Sequence, residues 1–232
     1  MIFDLIRGGD FKQILIQLLI SIPVFLLSLS FHEFGHAWVA NKCGDPTARL
    51  MGRCTLDPRR HIDPTGLVML LLIGIGYAKP VPVNPRNFKH PRRDDILVSV
   101  AGVTCNLILA LIAAALLIGY LCAIHVWGNP ILAHDWVQTF FSMITRLFTL
   151  NIVLAIFNLL PVPPLDGYHL FNDILFKGRL YPPQIASQIG MGLLMILSFT
   201  GILGKGLGFV VDGAWYGLQT VAIWALQMIG GM

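Results

Sequence analysis

The pattern of hydrophobic and polar positions along the chain is dominated by long runs without a charged residue. These uncharged runs cover residues 14–31, 96–133, 147–165, 185–204 and 213–232. Each is close to or longer than the roughly 18–20 residues that a helix needs to cross the hydrocarbon core of a bilayer. The pattern therefore predicts an all-α polytopic membrane protein with about five transmembrane helices.

The basic residues are concentrated in one part of the chain. Ten of the sixteen Lys and Arg residues lie between residues 42 and 93. Because short loops rich in Lys and Arg stay in the cytoplasm, we expect this loop inside the cell and the N-terminus outside. The basic residues are interleaved with Pro and Gly rather than with stacking aromatics, which argues against nucleic-acid binding. A surface facing anionic headgroups is enough to explain them.

A short apolar stretch, residues 67–78, lies within this basic loop. Twelve residues are too few for an ordinary span, so a re-entrant or membrane-surface element is expected. Short strands are expected on either side of it, at residues 47–56 and 77–83. Pro80 and Pro82 restrict the second of these to a sheet edge.

The rest of the chain is expected to cross the membrane four more times. These later spans are predicted at residues 94–127, 138–163, 184–204 and 207–230. A cytoplasmic loop is expected over residues 164–183. The whole chain, residues 1–232, is interpreted as one membrane domain. Its catalytic core covers about residues 11–180, with additional C-terminal spans at about 184–230.

Composition agrees with a lipid environment. Hydrophobic residues make up 56% of the chain and charged residues 12%, whereas soluble domains contain about 25% charged residues. The mean hydropathy is +0.73. The N-terminal segment lacks the basic start and the cleavage site of a signal peptide, so the first span is expected to be retained. The four cysteines form no CxxC pair, and free thiols are expected.

Residues 32–36 read His-Glu-Phe-Gly-His, and Glu33 is the single glutamate of the chain. On a helix, positions i and i+4 share a face, with Cβ atoms about 5–6 Å apart. Two histidines so placed can bind one zinc ion, and the glutamate beside the first can act as a general base on water. A structural cluster of His32, Glu33 and His36 facing another helix is the alternative. Ionisable groups within a span are costly, which favours the functional interpretation.

A catalytic zinc needs a third protein ligand. Asp166 follows the proline-rich stretch 158–165 at the cytoplasmic end of an inward span. Prolines remove backbone donors and should unwind that end, and irregular backbone is tolerated at membrane depth where it lines a cavity. Asp166 could instead be a helix cap or a turn residue before Gly167. His61 and His169 are rival ligands.

With these residues in hand, the chain resembles the site-2 protease family of intramembrane zinc metalloproteases, in a compact prokaryotic form without PDZ or CBS domains. Besides HEFGH, the resemblance covers residues 52–66, 76–93, 102–106 and 158–167. Residues 102–106 contain a GxxxN motif, and residues 158–167 contain the motif NxxPxPxLDG. The resemblance implies that Asp166 is the third zinc ligand. It also implies that Asn106 lies near the active site and holds the substrate backbone or stabilises the oxyanion.

Two positions depart from the family pattern. Val103 stands where the family has proline, and Tyr168-His169 follow the DG pair where a second small residue is common. Neither change touches a ligand, and His169 could support one. Asn158 is interpreted as structural or substrate-facing. Taken alone, Asn106 and Asn158 would be interpreted as helix–helix hydrogen-bonding residues.

The resemblance implies a zinc-dependent endopeptidase of the cell membrane with one catalytic zinc ion near the cytoplasmic side. Its substrates would be transmembrane segments of membrane-anchored proteins, entering from the bilayer and docking on the loop around residues 47–83 by edge pairing. A regulatory membrane partner or a homo-oligomer would control access. The alternatives are a metal transporter, a membrane-anchored protease acting on exposed loops, and an inactive adaptor. A lone glutamate beside the first ligand argues against the transporter.

Overall fold

A computed structural model describes residues 11–66, 68, 78–127, 134–177 and 183–230. The described residues form helices and no strand, as the all-α prediction requires. The helices are α1 (Phe11–Cys43), α2 (Thr47–Leu50), α3 (Pro91–Trp127), α4 (Asp135–Asn158), α5 (Asp166–Phe176), α6 (Pro183–Phe199) and α7 (Ile202–Gly230). Two 3₁₀ turns, Pro58–Arg60 and Pro85–Asn87, lie between α2 and α3.

Three of these helices are long and apolar enough to cross a membrane. They contain the segments Leu15–Cys43, Pro91–Val126 and Asp135–Asn158. The pair α6 and α7 passes the same test only together, with a bend of 75° between them, so the described residues offer three spans, or four if the pair is one. The prediction of five spans is therefore not confirmed. The helix α6 has only 17 residues, which is short of the roughly 18–20 that a span needs.

The prediction of a strand at residues 47–56 is wrong. The chain forms the short helix α2 there, followed by a turn through Gly52, whose φ is +67°. The Oδ1 atom of Asp45 accepts hydrogen bonds from the backbone N–H and the hydroxyl of Thr47. Such local side-chain bonds compete with a strand ladder and favour a turn or a helix start.

The strand predicted at residues 77–83 does not form over the described positions 78–83. Ala78 makes an isolated antiparallel bridge with Ile62, and residues 79–83 beyond it belong to no strand. Pro80 and Pro82 explain this, because neither has an N–H for a ladder. The re-entrant element expected at residues 67–78 falls outside the described residues, apart from 68 and 78.

The chain divides into two compact units, Met1–Cys105 and Asn106–Met232. In the first, Ala40, Cys43, Phe88 and Val98 form a buried apolar cluster. The helices α1 and α3 approach closely at Gly35, where a Cβ atom would lie 2.7 Å from Cys105 Sγ and 2.9 Å from the Ala101 carbonyl oxygen. Small residues allow such approaches between helices in a membrane.

In the second unit the core is built from the C-terminal part of α3 together with α4 and α7. Its buried members are Ala110, Ala113, Leu117, Ile144, Phe148 and Leu218. The indole N–H of Trp215 donates to Thr149 Oγ1 at 3.3 Å, which ties α7 to α4.

More than half of the predicted loop 164–183 is the helix α5. This helix begins at Asp166, and a negative charge is favourable at the N-terminus of a helix because of the helix dipole.

Candidate metal centre

The two histidines of HEFGH lie on α1 as predicted, within the span Leu15–Cys43. His32 is 5% exposed, and Glu33 and His36 are each 8% exposed. The Nε2 atoms of the two histidines are 3.0 Å apart. Two nitrogens bound to one tetrahedral zinc at 2.0–2.1 Å stand about 3.3 Å apart. The pair is therefore already arranged to share one metal ion.

The carbonyl oxygen of Val98 fixes the orientation of His36. The Nδ1 atom of His36 lies 2.8 Å from this oxygen, which belongs to α3. A carbonyl can only accept, so Nδ1 carries the proton and Nε2 keeps a lone pair for a metal. Metal-binding histidines commonly donate their second nitrogen to such a group, which fixes the tautomer and the ring orientation.

Gly102 of α3 lies directly against the histidine pair. A Cβ atom at this position would collide with His36 Nε2 and would lie 2.6 Å and 2.8 Å from the Cε1 and Nδ1 atoms of His32. Both imidazoles can occupy their places only because residue 102 is glycine, which has a hydrogen where other residues have a Cβ atom. The GxxxN motif contained this residue, but its spacing alone did not indicate the contact with the histidines.

Glu33 accepts a hydrogen bond from the loop that follows α2. The backbone N–H of Val81 donates to Glu33 Oε2 at 2.8 Å. A charge-assisted bond of this kind holds one carboxylate oxygen in place and is about twice as strong as a neutral one. No side-chain pattern in the sequence pointed to Val81, because its contribution is a backbone group.

Asp166, the predicted third ligand, is the first residue of α5 and is half-buried. The helix α4 ends at Asn158, before the prolines, as the sequence predicted. Gly167 allows the start of α5 to pack on the end of α4, because a Cβ atom there would collide with the carbonyl oxygens of Leu159 and Leu160. Gly167 therefore fixes where the Asp166 carboxylate stands in its unit.

The rival ligands have other environments. His61 is 2% exposed, and its Nε2 atom lies 2.8 Å from the Thr55 carbonyl oxygen, within the same loop. This bond assigns His61 to the folding of the loop. His169 is exposed, and its ring packs edge-on against that of Tyr168. The assignment of Asp166 as the third ligand stays a prediction.

Asn106 is fully buried and connects two helices. Its Nδ2 donates to Asn151 Oδ1 at 2.8 Å, and Asn151 Nδ2 donates to the Leu147 carbonyl oxygen at 2.8 Å. Asn158 Nδ2 donates to the Leu154 carbonyl oxygen at 3.0 Å, within α4. The bond of Asn106 agrees with the helix–helix alternative, whereas Asn158 bonds only within its own helix. Contact with substrate stays a prediction. Asn151 was not singled out from the sequence, although a buried asparagine in a span is itself a signal.

The chain matches known proteins over most of its length. The model of "Peptidase family M50" matches residues 20–123 and 122–197. "Putative zinc metalloprotease YwhC" of Bacillus subtilis is 42% identical over 75% of this chain and 78% of its own length. "Putative zinc metalloprotease Rip2" of Mycobacterium tuberculosis is 39% identical over 75% and 64%. "Zinc metalloprotease MJ0392" of Methanocaldococcus jannaschii is 25% identical over 79% and 43%. No solved structure matches significantly.

Proposed function

This chain belongs to peptidase family M50, and we propose that it is an intramembrane endopeptidase that cleaves peptide bonds in or near the transmembrane segments of membrane-anchored proteins. The family and the names of its relatives identify it as a zinc metalloprotease. The observation that carries the proposal is the position of His32, Glu33 and His36. All three are buried on a helix that is long and apolar enough to span a membrane.

His32, His36 and Asp166 are the residues that would hold the zinc. Each residue has a donor atom that zinc binds, an imidazole nitrogen in the two histidines and a carboxylate oxygen in Asp166. Two imidazoles and one carboxylate are a donor set that catalytic zinc sites use, and they leave one position open. The proton placed on His36 Nδ1 by Val98 supports the same assignment. Bound zinc lowers the pKa of a water molecule to about 7 and polarises a carbonyl group.

Glu33 is proposed as the general base and general acid. Val81 holds its Oε2 atom, which leaves Oε1 to receive the proton of the attacking water. The same carboxyl group can then return the proton to the nitrogen of the leaving strand. Glu33 is the single glutamate of the chain, so no other glutamate could take over this role. Asn106 is proposed to lie near the substrate, although the bond to Asn151 already accounts for its burial.

The depth of the site supports cleavage close to the cytoplasmic side. His36 lies seven residues before the end of α1 at Cys43, which corresponds to about 10 Å along the helix. The basic residues between 42 and 93 follow this end, and basic loops face the cytoplasm. The bilayer is then the environment from which the substrate enters, and the N-terminus lies outside.

The decisive experiment compares the wild-type protein with Glu33→Gln in proteoliposomes. The substrate is a synthetic peptide with about 20 apolar residues, flanked by lysines and labelled at both ends. We expect Glu33→Gln to lower the cleavage rate by about 10²–10⁴-fold with unchanged zinc content. Asp57→Asn is the matched acid-to-amide control, because Asp57 is exposed in the loop and should not affect the rate.

Two results would contradict the proposal. If Glu33→Gln cleaves the peptide at the wild-type rate, Glu33 is not the general base. If the wild-type protein cleaves soluble casein but leaves the membrane-inserted peptide intact, the protein acts on exposed chains instead. Trapping bound substrates on Glu33→Gln in its own membrane would then identify which proteins it recognises.

A further inference from the structure

The loop segment Lys79–Asn84 lies outside any helix or strand and has an unusual arrangement of hydrogen-bond donors. Pro80 and Pro82 have no backbone N–H, so Val81 supplies the only backbone donor between Lys79 and Val83. That donor binds Glu33 Oε2. The two prolines thus leave Val81 as the one backbone donor among residues 80–82, at the position that meets Glu33.

Arg53 holds the first half of the segment. Its side chain is 7% exposed, and its Nη2 atom donates to the carbonyl oxygens of Lys79 at 2.7 Å and Pro80 at 3.2 Å. The backbone N–H of Lys79 donates to the His61 carbonyl oxygen at 2.9 Å. The guanidinium is a rigid planar donor, which suits the binding of two neighbouring carbonyl groups.

Asp45 holds the other end of the segment. It is fully buried, and its Oδ2 atom accepts the backbone N–H of Asn84 at 2.7 Å. Asn87 Nδ2 donates to Asp45 Oδ1 at 2.8 Å. Between the anchors, Val83 packs against the apolar cluster around Phe88. The segment is therefore fixed on both sides of Val81.

Arg53 and Glu33 bind the two ends of one peptide group. The carbonyl oxygen of Pro80 accepts from Arg53, and the N–H of the same peptide bond, at Val81, donates to Glu33. A cation on the oxygen polarises the amide and strengthens the bond that its N–H makes, as in other hydrogen-bond chains. The two charged side chains are therefore coupled through a single peptide group.

We propose that Arg53 is a positioning residue for Glu33, acting through the Pro80–Val81 peptide group to hold the carboxylate in the orientation that proton transfer needs. The inference rests on the proposed role of Glu33 as the general base. It adds a buried residue of the loop to those on which the reaction depends, without contact with substrate or metal.

Hydrogen–deuterium exchange on the full zinc-loaded chain tests the coupling independently of activity. A peptic fragment covering Lys79–Asn84 contains few exchangeable backbone amides, because Pro80 and Pro82 have none. We expect the Val81 amide to exchange at least about tenfold faster in Arg53→Gln and in Glu33→Ala than in the wild type, which corresponds to the loss of one hydrogen bond. Arg59→Gln is the matched control, because Arg59 is exposed in the same loop and should leave the exchange unchanged.

Steady-state kinetics then distinguish positioning from a general structural role. Arg53→Gln should lower kcat about tenfold with little change in KM, because the carboxylate that transfers the proton is less well oriented while substrate binding is unaffected. Arg53→Lys, which keeps the charge but not the planar donor geometry, should recover part of kcat. Zinc content should be the same in all variants.

Unchanged Val81 exchange in Arg53→Gln would overturn the proposal. So would a variant whose kcat is normal while KM rises, or an Arg53→Lys protein no better than Arg53→Gln. If Glu33→Gln itself retains full activity, the proposed function fails, and the exchange experiment still decides whether Arg53 controls the Val81–Glu33 bond.

Discussion

Replacing Gly102 with alanine tests whether the close approach of α3 is what arranges the histidine pair. The new Cβ atom would stand 2.6 Å and 2.8 Å from two atoms of His32, whereas ordinary contacts begin at 3.4 Å. The ring must therefore move by 3.4 − 2.8 = 0.6 Å to 3.4 − 2.6 = 0.8 Å. Ligand distances in metal sites tolerate deviations of about 0.2 Å, so the required displacement exceeds the tolerance by a factor of about three to four.

We expect Gly102→Ala to weaken zinc binding by about 10–100-fold, the loss commonly seen when a group that orients a ligand is removed. This corresponds to about 1.4–2.8 kcal/mol of binding free energy. The measurement is a zinc competition with a colorimetric chelator, carried out on purified full-length protein in detergent. Cleavage of the labelled transmembrane peptide should fall in parallel at limiting zinc.

Gly119→Ala is the matched control on the same helix. A Cβ atom at Gly119 has nothing within 4 Å, and alanine is favoured over glycine inside a helix by about 0.5–1 kcal/mol. Zinc affinity in this variant should equal that of the wild type. If Gly102→Ala binds zinc as tightly as Gly119→Ala does, the inference that Gly102 arranges the pair is wrong.

Three further variants test other parts of the structure. Gly167→Ala should reduce cleavage and lower the melting temperature, because its Cβ meets two backbone carbonyls, whereas Gly192→Ala, with open space around it, should do neither. Burial opposes ionisation of Asp45, but its hydrogen bonds hold its pKa below the usual range. The stabilisation is then present above about pH 4 and lost as the pH falls through the lowered pKa. Melting temperatures should therefore fall in acid more for the wild type than for Asp45→Asn. A double-mutant cycle of Asn106→Leu and Asn151→Leu should give a coupling of about 0.5–2 kcal/mol.

The sequence was sufficient for the features that depend on local spacing. The apolar runs predicted the helices that contain the three spans, and the i, i+4 spacing of His32 and His36 predicted a shared helix face. The prolines after Asn158 correctly predicted the end of α4. Each of these depends on residues within a single helix or at its end, where the backbone geometry is known in advance.

The features that the sequence did not predict depend on distant contacts or on backbone groups. Val81 is 48 positions from Glu33, and Arg53 is 27 positions from Pro80, so no spacing rule connects them. Arg53 was counted among the ten basic residues of the loop, and the charge pattern did not separate a buried arginine from exposed ones. The strand expected at 47–56 failed because Asp45 bonds Thr47 locally, which hydropathy does not register.

The surroundings of Glu33 also explain why an irregular loop must approach this helix. Burying a carboxylate without a hydrogen-bond partner is costly. The N–H groups of α1 around Glu33 are already bonded within the helix, so the span itself has no donor to offer. Val81 supplies one from outside the helix, and Arg53 adds a positive charge behind the same peptide group. A carboxylate inside an apolar span, as Glu33 is, therefore needs a donor from outside its helix, and the Lys79–Asn84 segment supplies that donor at Val81.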